Sequence, residues 1–216
     1  MLEIRDPICR IVRATRLLFV LLALLAQSAA AATIAISVAS GPDAIEIEGS
    51  AELNADAETA WRVLTDYERY VDFIPDLQGS RVVARNGATV TVNQTGDVML
   101  WRLHMPLDVT FEITEMAPTS LVSRVVAGDL RALHSRYVLT PVGNGVRLEY
   151  TGKLDSGFAL FGAIERLAVK QNVARRLQAL AYEIERRSAA SRGQSSARLP
   201  LKDGESTRVL PASPTS

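Results

Sequence analysis

A repeated alternation of apolar and polar residues constrains the fold of this chain more than any other feature. The clearest stretch has apolar side chains on every second position: Leu107, Val109, Phe111 and Ile113. Similar stretches follow at 133–139 and 146–151, and Asn-Gly pairs at 86–87 and 144–145 mark tight turns between strands. Because successive side chains of a strand point to opposite faces, the pattern predicts an antiparallel sheet of six or seven strands with one face covered.

One long amphipathic helix is available to cover that face. From about Phe158 to Arg187 the apolar residues recur at steps of three, four and five, which is one stripe of a helix, and Asp155 or Ser156 can cap its start. At 1.5 Å per residue such a helix is roughly 45 Å long, more than a flat sheet of short strands needs. We therefore expect the sheet to curl around the helix and to leave an apolar pocket between them.

The stretch from Asp56 to Pro75 predicts two short helices. Asp56 and Asp66 are suitable N-caps, and Pro75 cannot continue the second helix. We expect Trp61 and Leu64 to hold this segment on the sheet. We expect three aromatic residues at the mouth of the pocket: Tyr67, Tyr70 and Phe73.

The N-terminus has the layout of a secretory signal. Four arginines precede an uncharged apolar run at 17–26, and small residues follow at 28–32, with possible cleavage near Ala30 or Ala32. The alternative is an uncleaved anchor, because no charge occurs from 17 to 39 and a bilayer needs about 20 residues. Either reading predicts an exported, periplasmic domain, attached to the inner membrane only through an uncleaved leader.

Composition predicts one domain between flexible ends. We expect a signal peptide or signal anchor at 1–32, a linker at 33–43, a folded domain at 44–187 and a disordered tail at 188–216, which is rich in Ser, Arg, Gly and Pro. The chain carries 24 basic and 24 acidic residues, so there is no net positive field for nucleic acid.

Residues that commonly carry chemistry are sparse. The single cysteine, Cys9, precedes the apolar run, and the only histidines are His104 and His134. His134 shares the predicted outward face with Arg136, and no G-x-S-x-G elbow or Gly-rich phosphate loop occurs. The sequence therefore predicts no catalytic set, no metal site and no cofactor.

The amino-acid sequence of the segment at 61–75 resembles that of a known family. Trp61-x-x-Leu64-Thr65-Asp66-Tyr67-x-x-Tyr70-x-x-Phe73-Ile74-Pro75 is similar to the opening of the polyketide cyclase/dehydrase and coenzyme Q-binding family of the START-like (SRPBCC, helix-grip) superfamily. The stretches at 106–115 and 128–141 resemble its later strands, although the family more often has Trp where Tyr137 stands.

The resemblance implies an α+β helix-grip fold. In that fold a curved antiparallel sheet wraps a long C-terminal helix, and two short helices follow the first strand. It also implies a cavity for a hydrophobic small molecule. The coenzyme Q-binding members work in mitochondria or bacterial cytoplasm, and the exported address predicted here departs from that setting.

Two polar residues are candidates for the inside of the cavity. Gln94 lies on the same predicted strand face as Val90 and Val92, because the three are on alternate positions. Arg124 likewise shares a face with two valines of its own strand. For Gln94 the alternative is that the alternation of the two strand faces is interrupted at Gly96. For Arg124 the alternative is that it pairs with a surface carboxylate. The full set of predicted ligand-binding residues is Tyr67, Tyr70, Phe73, Gln94, Trp101, Phe111, Arg124, Tyr137, Phe161 and Ile164.

Three functions are compatible with these observations. The first, which we favour, is a carrier or sensor that binds a lipid- or quinone-like molecule without converting it. The second is a cyclase- or hydratase-type enzyme that uses polar groups in the same cavity: Gln94, Arg124, Asp129 and Tyr137. The third is a module for an unspecified envelope protein, with a collapsed pocket and with the long helix and tail as contact surfaces.

Overall fold

The computed structural model describes residues 33–41, 44–100, 103–155 and 162–197. The predicted leader at 1–32 and the part of the predicted tail after 197 lie outside the described residues. The strands are β1 Thr33–Ser40, β2 Ile45–Leu53, β3 Leu77–Asn86, β4 Thr89–Leu100, β5 Leu103–Met116, β6 Ser120–Gly128, β7 Ala132–Val142 and β8 Gly145–Asp155. The helical segments are α1 Ala57–Leu64, a 3-10 helix Tyr67–Asp72 and α2 Gly162–Ala197.

The strands form a single antiparallel sheet with the order β1-β2-β8-β7-β6-β5-β4-β3. Helix α2 contacts β1 and β2 at one side of this sheet and β4 near the other, so the sheet curls around the helix. This arrangement confirms the predicted helix-grip fold. The described sheet has eight strands rather than six or seven.

The additional strand is β1, so the predicted linker at 33–43 is wrong for residues 33–40. Ile34, Ile36 and Val38 alternate with small or polar residues, and the three apolar side chains pack against the core. β1 pairs with β2 in the register Ile36↔Gly49 and Val38↔Ile47. The alternation of β-branched residues is itself a strand signal, and it explains why this segment joins the sheet.

The predicted turns are present, each displaced by one residue. Between β3 and β4 the turn residues are Gly87 and Ala88, and between β7 and β8 they are Gly143 and Asn144. Gly87 and Gly143 both have φ of +57°, the left-handed conformation that glycine adopts without steric cost. The tight connections therefore agree with the prediction. In the second turn the glycine in the left-handed conformation is Gly143 and not the predicted Gly145.

Only one of the two predicted N-cap residues caps a helix. Asp56 caps α1, because its carboxylate accepts hydrogen bonds from the Thr59 backbone N–H (2.7 Å) and the Thr59 hydroxyl (2.8 Å). The bond from the Thr59 backbone is the main reason why the pKa of Asp56 is lowered. Asp66 makes no capping bond, and the segment after it is a 3-10 helix. The Asp66 carboxylate instead pairs with Arg187 of α2 at 2.7 Å.

Helix α2 extends beyond its predicted C-terminal end, while its predicted start near Phe158 lies outside the described residues. The predicted capping residue Asp155 ends β8, and residues 156–161 lie outside the described residues. The helix runs to Ala197, so the predicted disorder from 188 is wrong for residues 188–197. Ser188 is buried, and Arg192 donates hydrogen bonds to the Ser188 hydroxyl (2.7 Å) and to the Asn54 carbonyl (3.2 Å). None of the described helices is both long and apolar enough to cross a membrane.

The core forms where α2 meets β2. The buried side chains of α2 include Leu177, Leu180 and Ile184, which lie on one stripe. Gly49 of β2 is buried directly beneath Leu177, and a Cβ atom built at Gly49 would lie 2.5 Å from Leu177 Cδ1. The absence of a side chain at Gly49 therefore allows the helix to approach the sheet.

A partly exposed ion cluster around the buried Glu183 carboxylate fastens the segment at 57–72 to α2. The Glu183 carboxylate accepts hydrogen bonds from Arg186 (2.7 Å) and from Arg187 (2.6 Å), and Arg187 also reaches Asp66. The bond from Arg186, opposed by burial and reinforced by Arg187, lowers the pKa of Glu183 to about 2. The ionised form of Glu183 is thus the form that the fold stabilises.

Replacing Gly49 with valine tests the close approach of α2. We expect Gly49→Val to lower the free energy of unfolding by about 1–3 kcal/mol, because the new methyl groups overlap Leu177. Glu48→Val, on the exposed face of the same strand, should change it by no more than about 0.5 kcal/mol. Urea denaturation of both variants measures the effect, and equal stability of the two would contradict this packing.

Replacing Glu183 with glutamine tests the ion cluster through its pH dependence. Because the folded-state pKa is depressed from 4.5 to about 2, the stabilisation is complete above pH 4.5 and is lost as the pH falls towards 2. We expect Glu183→Gln to be less stable than the parent protein by about 1–3 kcal/mol near neutral pH, with the difference shrinking through this window. A difference that stays constant with pH would contradict the assignment.

Candidate ligand-binding cavity

A two-lobed cavity lies between the concave face of the sheet and α2. The first lobe has a volume of about 250 Å³ and the second of about 160 Å³. Leu107, Leu133 and Tyr150 of the sheet and Val173 of α2 line both lobes, so the lobes adjoin. The cavity follows from the curl of the sheet, because α2 lies on β1 and β2 while the middle strands bend away around it.

The wall is mostly apolar because it is built from the inward positions of the alternating strands. The first lobe is lined by residues such as Val109, Phe111, Ile113 and Leu121. The second lobe is lined by Ile47, Met105, Leu154 and Val169, among others. Such a wall is typical of sites that bind small apolar molecules.

The 3-10 helix contributes two buried tyrosines whose hydroxyl groups are already bonded. The Tyr67 hydroxyl donates to Glu115 Oε1 at 2.9 Å, and Glu115 in turn pairs with Arg85 at 3.3 Å. The Tyr70 hydroxyl donates to the Leu64 carbonyl at 2.6 Å. Burial is the main cause that raises the pKa of both tyrosines, so both are neutral at physiological pH.

The opposite wall carries a second group of hydroxyls. The rings of Tyr137 and Tyr150 lie 4.8 Å apart between centroids. Ser123 and Ser135 form a buried pair with their hydroxyl oxygens 2.7 Å apart. Burial raises the pKa of Tyr150 as well. These groups offer neutral hydrogen bonds to the cavity and no charge.

Arg176 of α2 is a charged residue of the first lobe that is not among the predicted site residues. Its Nη2 donates to Gln94 Oε1 at 3.3 Å, and its guanidinium carbon lies 5.4 Å from the centroid of the Tyr70 ring. Burial pulls the pKa of Arg176 down, but Tyr137, Tyr70 and Tyr150 outweigh it and the pKa is raised. The side chain is therefore positively charged at neutral pH.

A signal for Arg176 was present in the helical spacing. It lies three residues after Val173 and four before Leu180, both of which belong to the apolar stripe. Its charge alone would place it on the polar side of α2. A charged residue that falls within an apolar stripe, at steps of three and four, is the sequence pattern that indicates such a position.

The rim of the first lobe is held by an ion pair. Arg175 pairs with Asp76 at 2.5 Å and donates to Asn172 at 2.8 Å. Asn172 also donates to the Met99 carbonyl at 2.9 Å, which ties α2 to β4. Asp76 has φ of +63°, an uncommon conformation for a residue with a side chain. Both charges of this pair are thus satisfied within the protein.

The structure brings half of the predicted site residues to the cavity. The residues that line it are Tyr67, Tyr70, Gln94, Phe111 and Tyr137. Gln94 is only 6% exposed, and its amide donates to the Ser80 hydroxyl at 3.3 Å, so the parity does not change before it. Trp101 and Phe161 lie outside the described residues.

Three predicted site residues lie elsewhere. Arg124 is on the outer face of β6 and pairs with Glu112 at 2.7 Å, because the valines that share its parity are themselves exposed. Ile164 is 49% exposed on α2. Phe73 packs edge-on against Tyr70, with centroids 5.6 Å apart, and it is not part of the described cavity wall.

Of the four residues proposed for the enzyme alternative, Gln94 and Tyr137 line the cavity, whereas Arg124 and Asp129 do not. Arg124 faces outwards, and the exposed Asp129 accepts a hydrogen bond from the Asp108 backbone N–H at 2.7 Å. His104 and His134 are both exposed. In the part of the chain that the structure describes, no group of three or more His, Cys, Asp or Glu side chains could hold a metal ion.

Comparison with known families identifies the class of protein. A family model described as polyketide cyclase/dehydrase and lipid transport matches residues 53–181. The match covers more than half of the chain, so the chain belongs to this family. A search of the curated proteins found no match.

Solved structures with the same fold include proteins of different stated roles. The Zhui aromatase/cyclase from Streptomyces sp. R1128 has a TM-score of 0.60 at 16% identity, over 68% of this chain and 96% of that one. A START superfamily protein from Mycobacterium smegmatis has a TM-score of 0.55 at 18% identity, over 68% of this chain and 98% of that one. A STAR-related lipid transfer protein from Xanthomonas axonopodis has a TM-score of 0.58 at 19% identity, over 74% of this chain and 96% of that one. At these identities the likeness shows the fold alone.

Proposed function

We propose that this protein binds a hydrophobic small molecule, lipid- or quinone-like, in the cavity between the sheet and α2, as a carrier or sensor rather than as a catalyst. The observation that carries the proposal is the two-lobed cavity, whose wall is mostly apolar. Its polar residues are a few hydroxyls, the amides of Gln94 and Asn172, and the charged side chains of Arg176, Arg175, Asp76, Asp97 and Glu165. Burial of an apolar ligand in such a wall is favourable by about 25 cal/mol per Å² of apolar surface removed from water.

The bonding of the polar groups favours binding over catalysis. A general acid or base needs a pKa near the working pH and free access to the reacting group. The described cavity tyrosines Tyr67 and Tyr70 already donate to protein acceptors, and burial raises their pKa values. At the rim, Asp76 is paired with Arg175, and Asp97 accepts a hydrogen bond from Gln78 at 2.8 Å.

The family supports a hydrophobic ligand, and its description includes both cyclases and lipid transport. The name of the Streptomyces neighbour describes an aromatase/cyclase, and that of the Xanthomonas neighbour a lipid transfer protein. The choice between the two roles for this chain therefore rests on its own side chains, as argued above. An open cavity also argues against a protein-interaction module with a collapsed pocket.

Binding of a neutral apolar dye tests the proposal. We expect N-phenylnaphthylamine to bind saturably, with increased emission and about one molecule per chain. Leu133→Trp, which fills both lobes, should weaken dye binding at least about tenfold because the displaced volume is no longer available. Val122→Trp, on the exposed face of β6, is the matched control and should bind the dye like the parent protein.

The outcome that would contradict the proposal is absence of saturable dye binding to the parent protein. Equal binding by Leu133→Trp and the parent would also contradict it, provided that thermal unfolding shows the variant to be folded.

We also propose that the domain acts after export, in the periplasm. The support is the basic, apolar and small-residue order of residues 5–32. Fractionation of cells that express the full chain should place it in the periplasm or on the outer side of the inner membrane. Removal of residues 1–32 should leave it in the cytoplasm, and the same location for both chains would contradict export.

A further inference from the structure

Arg176 is a cation in the cavity without a carboxylate partner among the described residues. Two other arginines of α2 pair with carboxylates: Arg175 with Asp76, and Arg187 with Asp66 and Glu183. The groups that contact Arg176 are neutral, namely Gln94 and the three tyrosines Tyr70, Tyr137 and Tyr150. The carboxylates that line the same lobe are bonded elsewhere, Asp76 to Arg175 and Asp97 to Gln78. Arg176 is partly buried, and a partly buried positive charge held only by neutral groups is unusual.

The neutral contacts compensate the charge only in part. The hydrogen bond to Gln94 is long, at 3.3 Å, and the guanidinium lies 5.4 Å from the Tyr70 ring. Removal of a charge from water is costly, and neutral contacts, which here include a further hydrogen bond with Tyr137, offset only part of that cost. An anionic group from outside the chain would complete the compensation.

The surroundings also define the rest of the ligand. Ser123, Ser135 and Tyr137 place hydroxyl groups in the lobe that Arg176 lines. The second lobe is mostly apolar: it is lined by residues such as Ile47, Met105 and Leu154, with Glu165 and Asn172 as its polar residues. The cavity is thus more polar in one lobe and mostly apolar in the other, a pattern that suits an amphiphile.

We propose that the ligand is an amphiphile with a single anionic head group, a carboxylate or an oxyanion of similar size, that binds Arg176 while its apolar part occupies the second lobe. The planar guanidinium presents paired N–H donors that match a carboxylate. Gln94, which bonds to both Arg176 and Ser80, is a positioning residue that holds the guanidinium towards the cavity. This inference rests on the proposed function, because it names the chemical class of the ligand for the same cavity.

A competition experiment tests the head group separately from the cavity. The full chain is loaded with N-phenylnaphthylamine and titrated with dodecanoate or with dodecanol, which differ in the head group alone. We expect dodecanoate to displace the dye from the parent protein at a concentration about tenfold to one hundredfold lower than dodecanol, because it makes charge-assisted hydrogen bonds.

Two variants assign this preference to one residue. Arg176→Met should bind the dye but lose the preference for dodecanoate, and Arg176→Lys should keep part of it. Lys170→Met removes one positive charge from the exposed side of the same helix and should keep the full preference. Dye binding reports in each case whether the variant is folded.

Each outcome bears on one claim. Equal displacement by dodecanoate and dodecanol from the parent protein would overturn the anionic head group, whether or not the variants fold, and would leave the apolar cavity intact. A full preference retained by Arg176→Met would overturn the role of Arg176. Failure of the parent protein to bind the dye at all would instead overturn the proposed function itself.

Discussion

The packing of α2 on β2 is the contact on which the rest of the structure depends. Leu177 lies directly over Gly49, so the helix rests on the strands at one side of the sheet. The remaining strands must curl around the helix to cover its other faces, since the same helix also contacts β4. The cavity is the space that this curl leaves beside residues 172–176. A side chain at Gly49 would move the helix and change the cavity together.

The strands and the closing helix could be predicted from the sequence because their patterns are local. The segment of β1 was predicted as a linker because its place in the sheet depends on a tertiary contact, the pairing of Ile36 with Gly49. Arg124 was misplaced because parity alone does not say which face of β6 is buried. Arg176 was missed because the curl of the sheet buries part of α2 on which a charge is normally exposed.

The arginines of α2 have separate tasks in this account. Arg187 joins Asp66 and Glu183, and it fastens the segment at 57–72 over the sheet. Arg175 closes the rim through Asp76. Arg176 has no such partner among the described residues, so it is available to a ligand. The family description includes both cyclases and lipid transport, and the proposal of binding for the present chain rests on its own side chains.

Mass spectrometry of an organic extract tests the central claim most directly. The protein is purified as the full chain from its native cells, extracted, and compared with a Leu133→Trp variant purified in the same way. The account predicts one lipophilic compound in stoichiometric amount from the parent protein, much less of it from the variant, and recovery of the compound unchanged after incubation with fresh protein. A reproducibly empty parent protein, or conversion of the compound during incubation, would contradict the account.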